Sequence, residues 1–596
     1  MTKSVDQLEA ALLQDLSEER VWEHVRHLVE SIPDRISGTG RDVEAAQYFR
    51  SQMEAHGIEV EWSEMDLLNS QAGLADLRVL APETRVIQAD CCLHIASTTG
   101  EGISADLIYV GPGGTADYVG KDVRGKIVLA EVSYSPASPE KARLAAKHGA
   151  LGIILMNWGT ASMPHIPKRA LKAVWGNPTP TTLGDIPQLA GVAITRAAGE
   201  YLRDLCQRGI VRVHLRAESP RVWQTLIQPI GRIRGGIESD QFVIVSGHFD
   251  CWPPGATDNA TGNGAMLELA RGFSARRADL RRSLVFAFWN GHEVAEAAGS
   301  TWFVDHAWDA IHRGAVAYLN IDSLGMLGAT RYAVKSSHEL ARFHPKVEER
   351  ILGKPGDRSL LSRTGDQSFF GIGVPSITGR FSHTPEQVAA WNGATLGWWN
   401  HTDQDTLDKV DRALLVRELP LWAAYVVRLA EEPVLPTRFQ PLASELHATI
   451  RRLQADGPDP IDLGTLGALL DRFVVRAGEL DTFADDLAKR YSAQGSSPML
   501  ESVVGELNTV LLRLSRLLTA PSRSVAGRYG QDSYGLSDLT APIPALFPLA
   551  SLPSLPAASE AARCLQTELR RRRNALADGV SDATWLIERT LAHLRT

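Results

Sequence analysis

Apolar residues recur at helical spacing through the start of the chain. Val21, Val25, Leu28 and Val29 share one face, as do Ala45, Ala46, Phe49 and Met53, which predicts two amphipathic helices. Gly57 closes the second before the strand-like run 58–62. From about 80 to 225 short β runs (106–110, 126–130, 152–156) alternate with Gly and Pro, and a helix-like segment, 140–148, precedes the last. That texture predicts a compact β-rich module with a few helices and no evident catalytic cluster. From about 226 to 435 the runs 241–246, 283–288 and 315–321 are nearly continuous apolar strands separated by helical segments. Such alternation predicts an α/β domain with a mostly parallel sheet, sandwiched by helices. Ligands in such sheets sit at the carboxyl ends of the strands. From about 436 the chain reads as all-α. Leu500, Val503, Val504, Leu507, Leu511, Leu514 and Leu518 mark one apolar face, and the Pro-rich stretch 541–556 reads as a loop. The expected segments are therefore 1–80, 81–225, 226–435 and 436–596.

Composition narrows the class. The chain has 596 residues, 44% of them hydrophobic, and a formal charge of −8. A large core over several domains is affordable and global disorder is excluded. Mild acidity argues against a nucleic-acid binder, and the run Arg570–Arg573 reads as a solvated helix face. The five cysteines form no C-x-x-C pair, so a reducing, cytoplasmic setting without disulfides is expected. Neither an apolar signal region nor a stretch of about 18 apolar residues appears, so no membrane segment is expected.

The chemistry gathers at strand ends. His248 follows the strand 241–246, and Asp258 sits where the next loop enters a helix. The following strand ends at His292-Glu293, the one after at Asp322, and His401 lies in a later loop. Taken singly, a buried His or strand-end Asp is usually structural. Their joint, ordered occurrence reverses that reading. A mixed His/carboxylate set fits two divalent ions sharing one carboxylate, which polarise a carbonyl and generate hydroxide near neutral pH. Asp250 is placed to accept from the His248 imidazole and fix it. Gly111–Gly114 lacks a P-loop Lys and reads as a turn. Cys251 reads as a structural thiol, and Trp252, Phe381 and Trp399 as core before pocket lining.

These segments resemble the M28 metallopeptidases, the family of zinc aminopeptidases and of glutamate carboxypeptidase. The matching pieces are GHFD, GATDNATG, Trp289–Glu293, NID and NHTDQDT. Residues 363–369 resemble the family's Ser-Asp-His-x-x-Phe loop, and 373–377 fit the next strand. Residues 145–157, AAKHGALGIILMN, resemble a protease-associated (PA) domain. The order is similar to glutamate carboxypeptidase and the transferrin receptor: a catalytic domain begun by 1–80 and resumed at 226–435, a PA insertion, and a helical C-terminal domain. The likeness is coarse overall and specific only in 241–411. It implies that Asp258 bridges two ions, with Zn expected and Mn or Co as alternatives. His248 and Asp322 would complete one site, Glu293 and His401 the other. It also implies a peptide or small amide substrate, with the PA and helical domains walling the cleft or making a homodimer.

One departure stands out. The family carries Glu-Glu, base then ligand, where this chain has His292-Glu293, and the distance to Gly299-Ser300 is one residue longer. Aligned from the strand, His292 replaces the base and Glu293 is the ligand. Aligned from Gly299-Ser300, Glu293 is the base, Val294 takes the ligand position and His292 moves in as a ligand. The first register is preferred, because a neutral His can take a proton from water near neutral pH. Three activities stay open: a peptide or amide hydrolase, a small-molecule amidase or other C–N hydrolase, and a non-catalytic binding protein on the same scaffold. The retained ligand set favours catalysis.

Overall fold

The computed structural model describes residues 4–362, 365–455, 457, 459–534 and 542–595. The apolar run at 243–245 is fully buried because its strand, Glu238–His248, lies inside an eight-stranded sheet covered on both faces. Across the sheet the strands are Glu59–Ser70, Arg221–Ile233, Arg282–Trp289, Glu238–His248, Ala315–Asn320, Ser376–Ser382, Arg331–Ser336 and Asp357–Ser359. The four from Arg282–Trp289 to Ser376–Ser382 run parallel. The first two pair antiparallel, as do Arg331–Ser336 and Ser376–Ser382. The sheet is thus mixed and mostly parallel. Register sets His248 opposite Trp289 and Ser246 opposite Asn320, so the ends that carry His248, His292-Glu293 and Asp322 open onto one edge.

The helices Val5–Asp15, Glu18–Ser31, Arg41–Ala55, Thr261–Ser274 and Arg412–Glu431 contribute to the core on one face. Ala298–His306 and Trp308–Gly314 cover the other through Phe303, Val304 and Ile311. Helix Thr261–Ser274 is buried almost throughout. Its Glu268 is taken by Arg20 at 2.8 Å and Arg271 at 2.8 Å, which is how a carboxylate survives there.

A second eight-stranded sheet lies wholly between Ala75 and Ala217 and has its own core. The C-terminal region consists of the helices Gln440–Ala455, Leu463–Gln494, Pro498–Arg523 and Glu560–Leu594. Helix Pro498–Arg523 docks on the first sheet. Its Asn508 donates to Glu238 at 3.1 Å, Glu501 accepts from Arg281 at 2.5 Å, and Arg516 donates to the Ala315 carbonyl at 2.6 Å. Two expectations change here. The Pro-rich stretch is not all loop: Pro544–Ser554 forms a 3₁₀ helix, which suits the fixed φ of proline. The basic run is not all solvated either. Arg570 and Arg571 are exposed, but Arg573 is buried and donates to the Asp462 carbonyl at 3.0 Å. Among the described residues no helix is long and apolar enough to cross a membrane.

Candidate metal centre

Strand Glu238–His248 ends in an imidazole with no exposed surface. Its Nδ1 donates to the Asp250 carbonyl at 2.8 Å, which leaves the lone pair on Nε2, facing the cleft. The next loop is held from two sides. The Asp405 carboxylate accepts from the Thr257 N–H at 2.9 Å, the Thr257 hydroxyl at 2.7 Å and the Asp258 N–H at 3.0 Å; burial pushes its acid up to about 6. Asn263 donates to the His248 carbonyl at 3.0 Å and Asn259 to the Ile321 carbonyl at 2.9 Å. Those two amides stitch the loop to two strand ends and place Asp258 between them.

Asp258 faces two ways. Its Oδ1 lies 3.0 Å from His248 Nε2, which is itself 3.8 Å from Asp322 Oδ1. Its Oδ2 lies 3.2 Å from His401 Nε2, which is 3.3 Å from Glu293 Oε2. Ligand atoms of His248, Asp258 and Glu293 all fall within 4.8 Å of one another. His248 Nε2 and Glu293 Oε1 are buried and make no hydrogen bond, a costly arrangement unless a cation serves them. Burial and the Asp258 charge push the Glu293 acid well up. Burial opposes ionisation of Asp258 as well, but the flanking His248 and His401 hold it well below the usual carboxylate range. Burial opposes ionisation of Asp322 too, but Arg380 and His248 together hold its acid at about 2. This donor set, two imidazoles with three carboxylates, fits zinc.

The turn after Trp289 is fixed by Asp250. Asp250 accepts from the His248 imidazole, as expected, but through its main-chain carbonyl. The carboxylate instead accepts from the Ser37 hydroxyl at 2.7 Å, the His292 N–H at 3.1 Å and the Glu293 N–H at 2.9 Å. Val294 is fully buried with Leu93, Ala170 and Trp252, while Glu293 stands beside His401. Glu296 and Ala297, just ahead of helix Ala298–His306, both adopt left-handed φ, 54° and 55°. A Cβ on Gly299 would lie 2.2 Å from the Asn290 carbonyl oxygen, so only glycine admits that close approach. His292 has its Nδ1 3.3 Å from Asp366 Oδ2. Burial and His248 oppose its protonation, but Asp366 and Glu293 raise it to about 9.

Several groups at the centre escaped the sequence reading. Arg169, from the β-rich module expected to lack site residues, donates Nη1–H to His401 Nδ1 at 2.8 Å. The Lys168 N–H donates to the His401 carbonyl at 2.8 Å. Arg380 lies 3.5 Å from Asp322 Oδ2, and Asn400 donates to Asp258 Oδ2 at 2.7 Å. The cluster Lys168, Arg169, Lys172 in a loop-like stretch was the available signal. Arg363 and Thr364 of the 363–369 segment lie outside the described residues. Trp399 and Phe381 are core; Trp252 is buried with its ring centroid 6.2 Å from that of His401. Burial pushes the Cys251 thiol up to about 12, which keeps it inert. At 111–114, Gly111 and Gly113 adopt positive φ in a turn.

Residues 229–426 match the model of peptidase family M28, and 93–202 match the PA domain. The domain at 229–426 belongs to family M28. The chain is 24% identical to a probable glutamate carboxypeptidase, VP8, of Zea mays over 70% of this chain and 68% of that one. It is 24% identical to aminopeptidase YwaD of Bacillus subtilis, over 69% and 85%. It is 26% identical to human transferrin receptor protein 2, of whose length it spans 36%. Among solved structures, a Bacillus subtilis zinc aminopeptidase superposes with TM-score 0.54 at 21% identity, covering 70% of this chain and 96% of that one. An M28 peptidase precursor from Shewanella amazonensis superposes with TM-score 0.57 at 18% identity, over 73% and 97%. The M28 match supports a metallohydrolase of the peptidase type, and the PA domain is set between the two parts of the M28 domain's sheet.

Proposed function

We propose that the chain hydrolyses peptide or amide bonds at two divalent ions, zinc by preference, held in this one cleft. Asp258 would lie between the two positions, with His248 and Asp322 on one side and Glu293 and His401 on the other. The observation that carries this is the two oxygens of one carboxylate facing two separate His–carboxylate pairs. Bound ions supply a Lewis acid for the scissile carbonyl and a low pKa for water. The protein's groups do the rest. Asp250 fixes the turn that presents His292 and Glu293. His292, its Nδ1 directed at Asp366, has Nε2 to take a proton and pass it to the leaving nitrogen. Without ions its pKa is too high for a base; a nearby dication acts in the opposite sense. A panel of aminoacyl-arylamides, dipeptides, C-terminally cleaved peptides and small amides tests the reading. Turnover of at least one class should vanish on chelation and return with zinc. A fully zinc-loaded protein inert on every class would favour the binding-protein alternative, and turnover of small amides alone the amidase.

Three finer points belong to the same proposal. Of the segments 1–80, 81–225, 226–435 and 436–596, the second is supported by its own sheet and core, although strand Ala75–Ala81 already joins that sheet; the C-terminal helices share one core with the catalytic domain, and limited proteolysis tests the division. A homodimer through the helical C-terminal domain is supported by exposed Val475, Met499 and Trp585 on those helices; sedimentation tests it. A reducing, cytoplasmic setting is supported by five free cysteines, and localisation of a tagged chain tests it.

A further inference from the structure

The two imidazoles at this centre are not held alike. His248 Nδ1 donates to the Asp250 carbonyl, so its Nε2 carries a lone pair toward Asp258 and Asp322, as a metal ligand must. His401 is held in the opposite sense. A guanidinium has five N–H donors and no acceptor, so the 2.8 Å contact from Arg169 Nη1 makes His401 Nδ1 the acceptor. The proton of a neutral imidazole then sits on Nε2, the atom 3.2 Å from Asp258 and 3.3 Å from Glu293. An ion bound through Nε2 would drive that proton to Nδ1, and two N–H groups cannot face each other at 2.8 Å. Arg169 is costly to move. Its guanidinium carbon packs 4.8 Å from the centre of the Trp158 ring. Its Nε and Nη2 are shielded from solvent with no partner, so giving up the bond to His401 would leave the buried guanidinium with no hydrogen bond to a described residue.

We propose that Arg169 and an ion at the His401–Glu293 position compete for His401, so that the two metal positions are unequal. The His248–Asp322 position loads first. The second loads only when the PA-domain arginine lets go of His401, which couples that domain to the completeness of the centre. The inference rests on the metallohydrolase reading and adds an order of filling with a named cause.

The test is titration of the metal-free full chain with zinc against a competing chromophoric chelator, for wild type, Arg169→Met and Arg169→Gln. Glutamine offers a carbonyl oxygen that can accept from Nδ1–H. Wild type should show one tight and one weaker step. Both variants should tighten the second step by about 10–100-fold, the usual scale for a partner of a metal-bound His, with the first step and the melting temperature unchanged. Two equal steps in wild type overturn the inference, as does a weak second step that neither variant shifts. Uptake of no ion by any of the three would remove the metallohydrolase reading and this inference with it.

Discussion

The ring of His292 stacks on that of His248, with centroids 4.0 Å apart and planes 22° from parallel. His292 thus lies against a metal-ligand candidate, its Nδ1 turned to Asp366, while the neighbouring Glu293 reaches the cleft. A pair that looks interchangeable in sequence is separated in space into one residue among the ligand atoms and one outside them.

His292→Gln should therefore keep the metal and lose the proton transfer. We expect unchanged metal content and a fall in kcat of about 10²–10⁴-fold, with KM little changed. Loss of metal in this variant would place His292 among the ligands.

Asp250→Ala should act through the turn. The N–H groups of His292 and Glu293 and the Ser37 hydroxyl lose their shared acceptor, and each buried group left unpaired costs about 1–3 kcal/mol. We expect a lower melting temperature together with lower activity. Asp250→Asn, which retains one carbonyl oxygen, should fall between. Wild-type melting and turnover in the alanine variant would show that the turn holds itself.

Acid should loosen the C-terminal helices from the sheet. Burial opposes ionisation of Glu501, yet Arg281 and Tyr491 bring its acid down to about 2 from the ordinary 4.5. A depressed folded-state pKa gives stability that is fully present above about 4.5 and lost as pH falls towards 2. Between pH 5 and 3 the wild-type melting temperature should drop more steeply than that of Glu501→Gln. Parallel profiles would mean that the Glu501–Arg281 pair does not hold the helix in place.

The fold was legible where burial forces a pattern. The strands through 241–246, 283–288 and 315–321 announced themselves because both faces are covered and nearly every position is apolar. The ends of those strands fixed the neighbourhood of His248, Glu293 and Asp322. Arg169 was not legible, since it reaches His401 from a domain folded on a separate sheet, and no spacing along the chain encodes that approach. Asp250 does accept from His248, but which of its oxygens would do so was not legible. Proximity in sequence pointed to His248, but the main-chain carbonyl serves that imidazole and frees the carboxylate for a turn some forty residues away. The 3₁₀ helix at Pro544–Ser554 was hidden by prolines, which mark breaks in α-helices but fit a 3₁₀ helix.

Asp258→Ala should remove both positions at once, since the two His–carboxylate pairs share that one carboxylate. Metal content of the purified wild-type chain beside this variant is the most direct measurement. Elemental analysis should find about two divalent ions per wild-type chain and close to none in Asp258→Ala, with hydrolysis lost in step. A folded variant that keeps both its ions and its activity would contradict the account.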